Sequence, residues 1–190
     1  MEDVMTGSHS RLLTFLLMLA GCISAKAADP QPGHWVTPTV PGFGAIHESE
    51  RAAYMPDKAL TYKVVFTLPN EAADPRAISP GLERAARAVN LYVYAGVPLS
   101  HLRFVVVADR DTVSVALDDP HYLAKYGSKN PNLRLIALLR QAGVDVVVCG
   151  QSVAKQQYEY DWIDHSVTIA LSAVTTITSL QQQGYALMPL

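Results

Sequence analysis

The sequence predicts an α/β fold in which a five-stranded parallel sheet carries helices on both faces, preceded by an extended N-terminal arm. Three observations predict it. Short apolar runs alternate with helix-period segments from about residue 60 onward, and strands separated by helices call for right-handed βαβ crossovers. The run at 144–148 is almost wholly Val, as expected of a strand covered on both faces. Turn and cap residues, such as Ser79-Pro80-Gly81, Gly96 and Gly143, stand where the two patterns meet.

In chain order, residues 60–68 (LTYKVVFTL) form the first strand, rich in Val, Phe and Thr. Ser79 as N-cap and Pro80 at the first position open a helix with Leu82, Ala85, Ala86, Val89 and Val93 on one face, closed by Gly96. Residues 102–108 (LRFVVVA) are the second strand, and 111–126 a weaker helical segment interrupted by Pro120. Asn130-Pro131 starts the next helix, whose stripe is Leu133, Ile136, Ala137 and Leu139, ended by Gly143. The strand at 144–148, a helix over 153–163, a strand at 167–171, a helix over 173–183 and a strand at 185–188 complete the domain, which spans 59–190.

The segment before it divides in two. Residues 12–21 (LLTFLLMLAG) are an apolar run behind Arg11, the length of a secretory signal core and too short to span a bilayer. Ala25-Lys26-Ala27 ahead of Ala28 reads as a cleavage site, and Leu19-Ala20-Gly21-Cys22 as an alternative lipoprotein signal that would leave a lipid anchor on Cys22. The expectation is export to the periplasm or beyond after loss of residues 1–27. Residues 28–58 carry Pro30, Pro32, Pro38, Pro41 and Pro56 with no helical or strand period, hence the extended arm. Its Trp35, Val36, Phe43 and Ile46 are too apolar for an idle linker, and some are expected in a contact with the rest of the domain or a neighbouring subunit.

Composition excludes several functions. The 190 residues hold 15 Lys plus Arg and 17 Asp plus Glu, a net charge of −2, with no basic cluster to follow a phosphate backbone. Nucleic acid is not an expected partner. His34, His47, His101, His121 and His165 lack metal-ligand spacing, Gly42-Phe43-Gly44 follows no strand, and no phosphate-binding loop or nucleophile elbow occurs. No metal or cofactor is expected.

In an open parallel sheet the chemistry gathers where strands end and helices begin. That selects Pro69-Asn70-Glu71, Asp109-Arg110-Asp111-Thr112, Cys149-Gly150-Gln151-Ser152 and Ser172-Ala173-Val174-Thr175. Asp109-Arg110-Asp111-Thr112 has two acids, but Thr112 adjoins Asp111 where an acid-motif phosphatase would place it two residues on, so it reads as a turn with a capping carboxylate. Cys149 is the sharpest candidate. After export it is the one remaining thiol, with no partner for an internal disulfide. Gly150 permits a tight turn, Ser152 is placed to cap a following helix, and Lys155 in its first turn would add positive potential. Positive potential favours the thiolate. The opposing reading is that Cys149 completes the Val run as a small buried hydrophobe.

Tyr62-Lys63-Val64-Val65-Phe66, Asn130-Pro131-Asn132, the stretch AGVDVVVCGQ at 142–151 and the closing GYALMP at 184–189 together make residues 40–190 similar to the exported branch of the DsrE/DsrF-like family. The resemblance implies a three-layer α/β/α domain with strand order 4-3-2-1-5, assembled as a homotrimer or homohexamer. It also implies a sulfur-relay role, because related proteins carry sulfur as a cysteine persulfide between donor and acceptor partners. On that basis Cys149 is the sulfur-carrying residue, and the strand-end loops supply Gly150, Gln151, Ser152, Asn70 and Ser172 as the expected ligand-binding residues. Family members often show a His-Gly pair after the second strand, where this chain has Asp109-Arg110. The competing expectation is a non-enzymatic oligomeric module that binds a small ligand or partner, with Cys149 inert.

Overall fold

The computed structural model describes residues 34–49, 51–68 and 71–190. The stretch 1–27 expected to be an export signal, Cys22 with it, and the first residues of the arm lie outside them, as does Asn70.

Five strands form one parallel sheet: β1 (Tyr62–Thr67), β2 (Leu102–Ala108), β3 (Asp145–Cys149), β4 (Thr168–Ala170) and β5 (Ala186–Pro189). Their order across the sheet is β4-β3-β2-β1-β5, with Val65 opposite Val105, Val106 opposite Val146, Cys149 opposite Ala170 and Val64 opposite Ala186. Side chains alternate between two faces. Val64, Phe66, Phe104, Val106, Val146 and Val148 join the core beneath α1 (Pro80–Tyr94), α2 (Asp119–Tyr126) and α3 (Leu133–Gln141). Val65, Val105, Val107, Val147 and Cys149 face α5 (Ala173–Gln182). Both faces of the central strands are dry, which is why they read as unbroken Val runs.

The helices follow their caps. Ser79 accepts from Leu82 N at 3.4 Å with Pro80 in the first turn, and Leu82, Ala85, Ala86 and Val89 are buried. The expected helix over 111–126 is instead a 3₁₀ segment, Arg110–Ala116, followed by α2. Pro120 does not interrupt that segment but lies in the first turn of α2, behind Asp118, which accepts from His121 N at 2.9 Å. A proline there removes an N–H that has no intrahelical partner. Nor does Asn130-Pro131 start α3, which begins at Leu133. Asn130 is buried and donates to Val115 O and Leu117 O at 2.9 and 2.6 Å, while its Oδ1 accepts from Asn132 N at 2.9 Å. Asn132 Oδ1 in turn accepts from Ser79 N at 2.8 Å. The Asn-Pro-Asn stretch is a buried polar clasp joining the 3₁₀ segment, α1 and α3, and its side chains satisfy backbone groups that would otherwise be orphaned.

The helix expected over 153–163 is also different. It is displaced to α4 (Gly150–Lys155), and a 3₁₀ turn follows at Tyr160–Trp162. α1, α3 and α5 end on Gly96, Gly143 and Gly184 at positive φ, each followed by a residue whose N–H reaches back into the last turn. α4 ends in the same way on Gln157, φ 59°, with Gln157 N donating to Ala154 O at 3.0 Å and Tyr158 N to Val153 O at 3.1 Å. No glycine announces this stop. It is imposed because Val153 and Tyr158 are both buried in the core. Replacing Gln157 with Gly is therefore expected to stabilise the protein by about 1 kcal/mol, the cost of a left-handed non-glycine residue, measured as a rise in the urea midpoint.

The arm is neither featureless nor detached. Trp35–Val36 pairs antiparallel with Ile46–His47, and Val40 and Ile46 are buried. Asn90 of α1, itself fully buried, accepts from Thr39 N and Val40 N at 3.0 Å and donates to Phe43 O and Gly44 O at 2.9 Å. Gly44 lies where a Cβ would stand 2.2 Å from Arg87 N. The apolar residues of the arm thus divide: Ile46 and Phe43 pack on their own domain, and Trp35 remains 62% exposed.

Candidate functional site

β3 and β4 are neighbours, yet the chain leaves β3 for the α1–α3 face through Val153 and leaves β4 for the other face through α5. The loops after them diverge, and it is at such a divergence, at the carboxyl ends of the strands, that doubly wound sheets form the crevice that gathers ligands. Cys149 is the last residue of β3 and stands at this point, 5% exposed.

Four features fix its surroundings. Gly150 is buried, and a Cβ on it would stand 2.7 Å from Ala170 O and 3.3 Å from Tyr160 Oη; only glycine lets the chain turn this close to the end of β4. Gln151 donates through Nε2 to Leu171 O at 3.3 Å, tying the two loops together. Ser152 Oγ accepts from Arg110 N at 2.8 Å, which draws in the loop after β2. Ser172 begins α5, its Oγ accepting from Thr175 N at 3.1 Å, and so presents the buried Ala173 to the sulfur.

Two forces act on the thiol in opposite directions. Burial pushes its pKa up, since it penalises the anion. The Ser152 hydroxyl and the backbone N–H groups of Ala173, Ser152 and Gln151 act against it, and the sum leaves Cys149 below the ordinary thiol value. Hydrogen bonds to a thiolate stabilise it directly. The rate of Cys149 alkylation against pH is accordingly expected to inflect below the roughly 8.5 of a free thiol, and Ser152→Ala to move the inflection upward. An inflection above a model thiol would overturn this assignment of forces.

Cys149, Gly150, Gln151 and Ser152 form the junction of β3 and α4, and three expected roles change. Ser152 does not cap the following helix: α4 begins at Gly150 with Cys149 as its N-cap residue, which places Ser152 in the first turn. Lys155 is the last residue of α4, exposed, rather than in its first turn beside the thiol. Ser172 contributes its position, its hydroxyl being held by Thr175. Asp109-Arg110-Asp111-Thr112 opens the 3₁₀ segment with Asp109 as its N-cap residue, Thr112 Oγ1 accepting from Asp109 N at 3.0 Å and donating to Asp109 O at 2.7 Å. The donors that sequence reading missed are the backbone N–H groups of Ala173 and Arg110, together with the neighbouring Tyr160 hydroxyl.

A second polar group lies beyond the loops after β1 and β2. Ser114 Oγ and Tyr126 Oη both donate to Glu71, and Tyr122 Oη donates to Pro75 O at 2.7 Å, around a small pocket of about 20 Å³. Burial pushes Tyr122 up to about 12 and raises Tyr126 and Tyr158. These phenols hold their protons: Tyr122 and Tyr126 act as donors, and Tyr158 Oη accepts from Lys125 Nζ. Among the described residues no group of three or more His, Cys, Asp or Glu is arranged to hold a metal ion, and no helix is long and apolar enough to cross a membrane.

The model of the DsrE/DsrF-like family matches residues 63–190. No curated protein matches the chain. Among solved structures it is similar to MTH1491 from Methanobacterium thermoautotrophicum, a protein of unknown function, at 21% identity and a TM-score of 0.47, over 68% of this chain and 99% of that one.

Proposed function

Because this chain belongs to the DsrE/DsrF-like family, we propose that it is an exported member that binds or relays sulfane sulfur as a persulfide on Cys149. The observation that carries the reading is the placement of Cys149 at the carboxyl end of β3 and the start of α4, where the Ser152 hydroxyl and nearby backbone N–H groups lower its pKa against the pull of burial. Only a thiolate attacks a sulfur donor, and one whose pKa lies near ambient pH combines availability with nucleophilicity. In the first step the Cys149 thiolate attacks the terminal sulfur of a polysulfide. The donor S–S bond breaks, its electron pair leaves with the shortened polysulfide, and Cys149 holds the outer sulfur as an anionic persulfide. In the second step an acceptor thiolate attacks that outer sulfur, and Cys149 leaves as thiolate. The same donors that hold the thiolate offer hydrogen bonds to the persulfide anion. The Asp109-Arg110 pair replaces the His-Gly seen in relatives, and the Arg110 N–H reaches the site through Ser152.

Leu171 and Val174, each 73% exposed, and Tyr160 surround the site and supply an apolar rim for a donor or acceptor protein. In this reading the protein works as a homotrimer or homohexamer, and the exposed Leu187 and Met188 on edge strand β5 are the kind of surface such an assembly covers.

Intact mass after incubation with polysulfide tests the proposal. Native protein is expected to gain one sulfur that dithiothreitol removes, and Cys149→Ser to gain none. The 5% exposure of Cys149 also suits a structural thiol. Native protein that stays unmodified while its denatured thiol reacts normally would favour that inert role and a binding module in place of a carrier.

A further inference from the structure

Between the arm and the last turn of α1 lies a cleft of about 300 Å³, lined by His47, Tyr54, Met55, Leu91, Tyr92 and Tyr94 among others. Its size falls in the range of small-molecule sites, and such sites are mostly apolar and preformed. Three of its rings are held from behind. Tyr92 packs against Tyr62 and Phe104 with ring centroids at 4.6 and 5.4 Å. Tyr94 Oη accepts from Ser49 N at 3.0 Å, and the His47 ring meets Trp35 edge-on at 5.8 Å. Burial, with Tyr62 alongside, pushes the Tyr92 phenol up, so that ring stays neutral.

The fourth ring is the anomaly. Tyr54 has φ 55° and its side chain stands wholly in water. A left-handed backbone at a bulky aromatic residue is strained, and nothing in the chain itself compensates by burying the ring. Such strain is characteristic of ligand clamps. Met55 and Leu91, half exposed, continue the apolar surface beside it.

Charge selects the occupant. Among the described residues that line the cleft there is no Asp, Glu, Lys or Arg, and these residues offer a charged ligand no counter-charge to offset its lost hydration. Four rings and a thioether favour a flat π system over a flexible aliphatic chain, through offset or edge-on stacking and sulfur–aromatic contact.

We propose that this cleft is a binding site for an uncharged, planar aromatic or heteroaromatic small molecule, for which the fixed rings of His47, Tyr92 and Tyr94 are the walls and Tyr54 the clamp. The cleft is separate from the Cys149 site and shares no residue with it, so Cys149→Ser protein binds the same ligand and the two readings stand or fall independently.

The test uses the full chain and the neutral fluorophore N-phenyl-1-naphthylamine. Saturable binding at one site per chain is expected. Leu91→Arg, a change on the half-exposed face of α1, is expected to weaken it at least about tenfold by placing a charge in the cleft, and Tyr54→Ala by a smaller factor. Leu123→Arg, on a half-exposed leucine of α2 away from the cleft, is expected to leave it unchanged, with circular dichroism showing every variant folded. Absence of saturable binding to the parent, or equal affinity in Leu91→Arg, would overturn the proposal. So would light scattering in which Leu91→Arg dissociates an oligomer and creates probe sites that the parent lacks, because the cleft would then belong to a second copy of the chain.

Discussion

Val146→Asp is expected to abolish folding of the domain. Val146 is fully buried in β3, opposite Val106 and among the side chains beneath α1 and α3. Its surroundings are aliphatic and aromatic, so a carboxylate there finds neither a donor nor a counter-charge. Burying an unpaired ionised group costs several kcal/mol even after relaxation, and a group that escapes by taking up a proton still loses its hydrogen bonds to water. Total stabilities of about 5 to 15 kcal/mol leave little to absorb that. Val146→Ala, which removes only two methyl groups, is expected to fold with a loss of about 2 kcal/mol, which separates the effect of charge from that of lost packing. Circular dichroism and urea unfolding read both variants. A Val146→Asp protein with the parent's urea midpoint would place β3 somewhere other than the centre of the sheet.

The second large effect is expected at Asn90. One carboxamide there holds four backbone groups of the arm, two through Oδ1 and two through Nδ2, and its residue is fully buried. Asn90→Leu keeps the volume and removes every one of those partners. Leaving a buried donor or acceptor unsatisfied costs about 1 to 3 kcal/mol each. Val40 N and Gly44 O are the most enclosed of the four, so a loss of at least about 3 kcal/mol is expected, in a single cooperative urea transition. If the arm were an independent appendage, the variant would instead keep the parent's transition and gain protease cuts only between residues 34 and 49. The arm also forms one wall of the aromatic cleft, so the same variant is expected to lose probe binding.

Much of the architecture was legible because it is written locally. The Val-rich β3, the Ser79-Pro80 start of α1 and the glycine stops after α1 and α3 each depend on residues within one or two turns of one another. The same reading failed where a local pattern met a distant demand. The segment 153–163 reads as one helix, yet Val153 and Tyr158, five residues apart and so on different sides of a helix, both reach the core because Gln157 turns the chain out of the helix between them. Asn130-Pro131-Asn132 has the composition of a helix start, but its two amides are spent on Val115, Leu117 and Ser79. The Pro-rich arm lacks a period because its order comes from Asn90, more than 40 residues away.

The candidate site divides in the same way. By itself the sequence determined that a cysteine ends the third strand, that a glycine follows it, and that this junction lies on the edge where a parallel sheet keeps its chemistry. Only the tertiary structure decided what that thiol experiences. Lys155, the one charged residue expected to favour the anion, is the exposed last residue of α4, and hydrogen-bond donors oppose burial in its place. Two of the backbone N–H groups involved, at Ala173 on the thiol and Arg110 on Ser152, come from loops far along the chain. Every residue except proline carries such an N–H, so no residue type marks the ones that matter; they acquire a role only when the sheet brings the ends of β2, β3 and β4 side by side.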